Sequence, residues 1–160
     1  MPKLSIFVLL FAIPVSAFAQ QANEQAINKN VARSFFEDVL GQGRLDKYSQ
    51  SHAADFVAHG SDHDYTLDQD VAAAREERKA LPDIRMTVNQ MIAENDLVAV
   101  HWTASGTNTR AGMGLPATGK KIKVSGITIF RFKAGKISEE WSAWDMLSVL
   151  KQAGLFPSEP

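Results

Sequence analysis

Asp145, Arg131 and His59 are the side chains whose type and setting best suit proton chemistry. Asp145 completes the series Trp141, Ala143, Asp145, which shares one face of a strand by the two-residue period. If that face lines a cavity, the carboxylate lies among aromatic groups, where loss of water raises its pKa and makes it a general base or acid near neutrality. Asp145 also stands just before a short helical segment, where aspartate is a favoured N-cap, and accepting backbone N–H bonds pulls the pKa the other way. Arg131 is in phase with Ile127 and Ile129, so it either finds a partner such as Asp145 or turns outward at the strand end. His59 ends a brief extended segment, placed either to donate a hydrogen bond into a cavity or to serve a structural one.

Other clusters are less apt. His59-Gly60-Ser61-Asp62-His63-Asp64 gathers imidazoles and carboxylates at short spacing, but these are turn formers and only His52 is near enough to add a ligand, so no metal is expected. Gly114 to Lys120 imitates the start of a phosphate-binding loop. Lys121 occupies the place of the magnesium-binding hydroxyl and a strand follows, so the segment reads as a turn-rich lid or rim. The chain has no cysteine, which excludes thiol chemistry, and no serine elbow, zincin helix or dinucleotide fingerprint. The mixed charges Arg75, Glu76, Glu77, Arg78 and Lys79 read as a solvated helix face.

These residues need a scaffold, and the periodicity supplies one. Ile27, Val31, Phe35 and Val39 recur every four positions in a helix over Ala22 to Leu40, ended by Gly41 and Gly43. Arg44 to Ser51 reads as a second helix, Asp55 to His59 as an extended segment and Gly60 to Tyr65 as a polar loop. Thr66 and Gln69 have capping-box spacing for a third helix that stops before Pro82. Beyond it the period falls to two: Ile84, Met86, Val88 and Ile92, then Val98, Val100 and Trp102, then Lys121 to Phe132, then Ile137 to Ala143, an antiparallel meander. A helix from Met146 to about Ala153, ended by Gly154 and followed by Pro157, closes the chain. Helices followed by strands specify an α+β fold in which three helices cover a curved antiparallel sheet, with a short C-terminal helix. The hollow between the layers suits a small apolar ligand, and Trp102, Trp141, Phe36, Met113 and Leu115 are the candidate substrate-binding residues.

The N-terminus reads as an export signal: Lys3, an apolar stretch from Leu4 to Ser16, and Ala17-Phe18-Ala19 before a cleavage point between Ala19 and Gln20. The expected product, residues 20–160, is a single periplasmic or secreted domain with no membrane association after cleavage. Loss of Lys3 leaves 16 basic against 18 acidic residues with no basic stripe, so nucleic acid is not an expected partner.

Several segments occur in an order that resembles the SnoaL-like polyketide cyclases of the larger nuclear-transport-factor-2-like superfamily. They are Phe35 to Leu40, Asp55 to Gly60, Leu81-Pro82-Asp83-Ile84, Val98 to Thr107, Gly114 to Lys120, Gly126 to Phe132, and Gly135-Lys136-Ile137 through Trp141 to Asp145. The resemblance implies a cone-shaped fold, a homodimer or larger homo-oligomer joined through the sheet, and a reaction that uses no cofactor. It assigns the position of Asp145 to the acid/base of an intramolecular aldol ring closure, that of His59 to the pocket wall and that of Arg131 to a polar pocket residue. Many members read Glu-His-Trp where this chain has Glu139-Glu140-Trp141. The expected activity is acid/base catalysis of cyclase or isomerase type on a small carbonyl or cyclic substrate, with Asp145, His59 and Arg131 as the catalytic set. A non-catalytic periplasmic binding protein is the alternative.

Overall fold

The structure is a computed structural model that describes residues 15–156. Lys3 and most of the apolar stretch of the expected signal, and Pro157, lie outside the described residues.

The described elements are α1 (Val15–Ser34), a π-helical turn (Phe35–Leu40), a 3-10 turn (Leu45–Lys47), α2 (Tyr48–Ser51), β1 (His52–His59), β2 (Asp64–Thr66), α3 (Leu67–Ala80), β3 (Arg85–Glu94), β4 (Leu97–Thr107), β5 (Lys121–Lys133), β6 (Lys136–Trp144) and α4 (Met146–Ala153). Together they form an α+β fold with four helices and a curved, unclosed six-stranded sheet ordered β2-β1-β6-β5-β4-β3. The meander β3 to β6 is antiparallel as the alternation predicts, but β1 joins β6 in parallel, pairing His59 with Trp141. The polar loop expected over Gly60 to Tyr65 is shorter, because β2 pairs antiparallel with the end of β1.

The first helix departs from its predicted stripe for a geometric reason. Each step of four residues overshoots a full α-helical turn by about 40°, so a strict period of four drifts off the buried face. Ile27 is accordingly 47% exposed, while Asn28, Ala32 and Phe35 are buried. The wider π-helical turn takes up the mismatch and keeps Phe35, Phe36 and Val39 inside. Here Glu37 accepts a hydrogen bond from the Val88 N–H (3.1 Å), beside the irregularity between Val88 and Gln90. That bulge reverses the side-chain phase of β3, which turns Ile92 outward against the expectation from alternation.

The start of α3 follows its sequence signal. Thr66 accepts from the Gln69 N–H, and the Gln69 side chain accepts from the Thr66 N–H at 2.8 Å. The charged stretch at the end of α3 does not lie wholly in solvent, however. Its inward stripe carries Asp70, Ala73, Ala74 and Glu77, at the helical spacings of three, four and seven residues. Arg78 is half-buried and donates to the carbonyls of Leu40 and Pro82, holding α3 to the π-helical turn.

The inner face of the sheet follows the even residues of β5: Ile122, Val124, Gly126, Thr128, Phe130 and Phe132. Gly126 is required there, since a Cβ at this position would stand 2.3 Å from the Trp102 ring. Phe35 packs edge-on against Tyr48, His52 and Phe130, with ring centroids 5.0, 4.7 and 5.8 Å apart, which joins the helices to the sheet at one end of the core.

Candidate active site

Between α3 and the concave sheet lies a cavity of about 580 Å³. Its walls are mainly apolar, with Phe36, Leu81, Ile84, Met86, Trp102, Ile122 and Val124 among the lining side chains. Asn108 pins the long loop after β4 over the rim: its amide oxygen accepts from the Thr118 N–H (2.8 Å) and hydroxyl (2.9 Å), and its amide donates to the Arg110 carbonyl (3.0 Å). Met113 and Leu115 of that loop line the cavity, as do Phe36 and Trp102, so four of the five candidate substrate-binding residues meet there.

The strand register decides which carboxylate of β6 enters. Thr128 is paired with Ser142 and Phe130 with Glu140, so Glu140, Ser142 and Trp144 share the inner face. The opposite phase carries Glu139, Trp141 and Ala143 on the outer face, opposite Arg131, Ile129 and Ile127. Trp141 therefore does not line the cavity, and neither does Asp145. Asp145 is exposed and caps α4, its Oδ1 accepting from the Ser148 N–H at 2.9 Å. Arg131 also turns outward, where it bridges Asp96 (2.8 Å) and Glu139 (3.0 Å) and lies over the Trp141 ring. His59 is among the lining residues, and there it stacks on Trp141 and engages Asp64 (3.1 Å) and Glu139 (3.0 Å), and its hydrogen bond with Glu139 above all raises its pKa. Of the expected catalytic set, His59 lines the cavity, whereas Asp145 and Arg131 do not.

A different group occupies the interior. Burial is the main cause that lifts the Glu140 carboxyl to a pKa of about 7, the charge of Asp70 adds to it, and the Ser142 hydroxyl opposes it. Burial likewise raises Asp70, whose carboxylate accepts from the Tyr48 hydroxyl. His52 lies behind them, 1% exposed, and burial lowers its pKa to about 4, so the ring is neutral. One ligand atom from each of His52, Asp70 and Glu140 falls within 4.8 Å of the others. These three could face a small cation, yet the hydroxyls of Tyr48 and Ser142 already donate to the two carboxylates, an arrangement suited to proton chemistry.

A hydrogen-bond chain orients Glu140. The Trp102 indole, which can only donate, binds the Thr128 hydroxyl oxygen at 3.0 Å. Ser142 gives its one proton to Glu140 Oε1 (2.7 Å), so between the two hydroxyls it is Thr128 that donates to Ser142 (2.6 Å). Each proton in the chain points toward Glu140, so Oε1 is held as an acceptor and a proton on the carboxyl belongs on Oε2.

The two-residue phase leaves open which face of a strand points inward, and sequence reasoning placed the aromatic Trp141 face there. The even residues of β5, ending in Phe130 and Phe132, carry the signal for the correct choice, as does the spacing of Asp70, Ala74 and Glu77 on α3.

The family described as SnoaL-like polyketide cyclase matches residues 30–153. Among solved structures, AclR of Streptomyces galilaeus, described as a candidate hydroxylase, is similar with a TM-score of 0.73 and 24% identity, over 88% of this chain and 90% of that one. A candidate SnoaL-like polyketide cyclase from Jannaschia sp. CCS1 gives a TM-score of 0.74 at 20% identity, over 83% of this chain and 95% of that one. IdmH of Streptomyces antibioticus, a candidate polyketide cyclase, gives 0.70 at 23% identity, over 79% and 98%. At these identities the structures show a shared fold. No curated protein matches the chain. With its family match extending over most of the sequence and its sheet and helices in the same arrangement, the chain belongs to the SnoaL-like polyketide cyclase family.

Proposed function

We propose that this protein is a cofactor-independent acid/base enzyme of cyclase or isomerase type that acts on a small, mainly apolar carbonyl or cyclic substrate. The observation that carries this reading is Glu140, an oriented carboxyl in an apolar-walled cavity whose pKa of about 7 lets it both take and return a proton near neutrality. In this reading Glu140 replaces Asp145 as the group that exchanges a proton with the substrate, and Asp70 with Tyr48 tunes it. Phe36, Trp102, Met113 and Leu115 hold the apolar body of the substrate, while His59 and Arg131 stabilise the rim and outer face.

The test is hydrogen exchange in D2O at the carbons beside the carbonyl across a panel of small apolar ketones, followed by NMR. Wild type should accelerate exchange and Glu140→Gln should not; acceleration that survives Glu140→Gln would overturn the assignment. The size and apolar walls of the cavity favour a second reading, a non-catalytic small-molecule carrier, which predicts binding with no exchange in any protein.

Export is part of the proposal, with cleavage between Ala19 and Gln20 releasing residues 20–160 as one domain to the periplasm or medium. It is supported by Lys3, the apolar stretch after it and the small residues Ala17 and Ala19. No described helix is long and apolar enough to cross a membrane. The outer face of the sheet exposes Ile92, Ile127 and Ile129, which supports a homo-oligomer joined there.

A further inference from the structure

Nδ1 of His52 is tied to the Tyr48 carbonyl (2.9 Å) and to the Ser51 hydroxyl (3.0 Å). The imidazole stacks on the Tyr48 ring, centroids 4.7 Å apart and planes 18° from parallel. With Nδ1 so committed, Nε2 is the ring nitrogen left for the group in which His52, Asp70 and Glu140 come within 4.8 Å of one another, and the Tyr48 hydroxyl is bound to Asp70. Nε2 is buried and has no hydrogen-bond partner among the described residues. The ring is neutral and its Nδ1 proton serves the Tyr48 carbonyl, so Nε2 presents a bare lone pair beside two carboxyl groups.

Asp70 and Glu140 line the polar end of the cavity, and His52, buried behind them, completes a triangle of acceptors. Three acceptors around a tetrahedral nitrogen, each about 2.9 Å away, stand roughly 4.7 Å from one another. Three ligands of a zinc ion with bonds near 2.1 Å stand only about 3.4 Å apart. The three ligand atoms lie within 4.8 Å of one another, a bound that the larger triangle also meets. Charge points the same way. Asp70, Glu77 and Glu140, with Glu76 at the rim, line the cavity, whereas no lysine or arginine does so among the described residues. Arg78, next to Glu77, is committed to the Leu40 and Pro82 carbonyls, and His59 at the rim to Asp64 and Glu139. A carboxylate or phosphate guest would meet only like charge, whereas Trp102 and Phe36 offer aromatic faces to a cation or an apolar body.

We propose that the cavity takes an apolar molecule carrying a primary amine, held as its ammonium by Asp70 and Glu140, with the unpartnered Nε2 of His52 behind them as a further acceptor. The inference rests on the acid/base reading of Glu140 and deepens it by naming the group involved: a neutral amine entering the site takes the proton of the Glu140 carboxyl, becoming an ammonium beside a carboxylate, and no other bond changes. Tyr48 and Ser142 each donate one hydrogen bond to the carboxylate pair, which leaves lone pairs free for the guest.

Calorimetric titration at neutral pH with 2-naphthylmethylamine, 2-naphthylmethanol and 2-naphthoate compares cation, neutral molecule and anion on one apolar body. The amine should bind wild type at least about tenfold more tightly than the alcohol, and the naphthoate more weakly than either. In Asp70→Asn and in Glu140→Gln the advantage of the amine over the alcohol should fall below about twofold while the alcohol still binds. Equal affinity for amine and alcohol, tighter binding of the naphthoate, or an advantage that persists in both variants would each overturn the proposal. Ketone exchange is read separately, so loss of exchange with the amine preference intact removes the enzymatic reading alone, and exchange without that preference removes only the amine.

Discussion

Glu140 on β6 and Asp70 on α3 bring their carboxyl groups to within 4.8 Å of each other at the polar end of the cavity. Two like charges in a poorly hydrated place cannot both be held cheaply, so protonation of one is the natural relief. The burial of Glu140, with the charge of Asp70 added, makes it useful for proton transfer and therefore weakens the fold at higher pH.

That cost has a defined sign. Folding raises the pKa of Glu140 from 4.5 to about 7, so between those values the folded chain binds more protons than the unfolded one. The contribution of this group to stability is present below about 4.5 and is lost as pH rises through 7. His52 acts oppositely, its contribution being present above 6.5 and lost as pH falls through about 4. Glu140→Gln should therefore gain on wild type as pH rises from 4.5 to 7, by up to roughly 3 kcal/mol in urea unfolding. A difference that stays constant over this range would contradict the assignment.

Ser142→Ala removes the donor that favours the ionised form of Glu140. The midpoint of the pH profile for ketone exchange should move upward, and Trp102→Phe, which frees Thr128 two links away, should move it less in the same direction. A downward shift in either variant would show that the chain does not point its protons at Glu140.

Asp145 is expected to matter for stability alone. Asn caps nearly as well, so Asp145→Asn should leave both melting and exchange unchanged, whereas Asp145→Ala should cost about 1 kcal/mol with exchange intact. Loss of exchange in Asp145→Asn would return the catalytic role to this residue.

Ile129→Glu places a charge at the centre of the exposed outer face, next to Trp141 across the strand pair. Sedimentation should show wild type as a dimer or larger and the variant shifted to monomer, with unaltered circular dichroism. A monomeric wild type would refute association through the sheet.

The legible parts of this fold were those governed by local chemistry. Thr66 and Gln69 fixed the start of α3, Gly154 in a left-handed turn ended α4, and alternation from Val98 to Trp102 and along β5 located strands and buried residues. The face of β6 that turns inward is set by its pairing with β5, a long-range choice that Trp141 and Glu140 each satisfy equally well by themselves. Glu77 was hidden for a related reason: charges near a helix surface read as solvated until a concave sheet is placed opposite them, and Asp70 on the same stripe carried no motif. Tyr48 and His52, one helical turn apart, carried no motif, and their role emerges only where α2 meets β1 beside α3.

Proton exchange in the cavity requires Glu140 to titrate near neutrality inside the folded protein. Carbon-13 NMR of protein labelled at the glutamate carboxyl carbons, with Glu140→Gln identifying the resonance, measures this directly. One glutamate signal should titrate with a midpoint of about 7 and vanish in the variant. If the signal that vanishes instead titrates near 4.5, Glu140 is an ordinary carboxylate and is not the group that exchanges protons near neutrality.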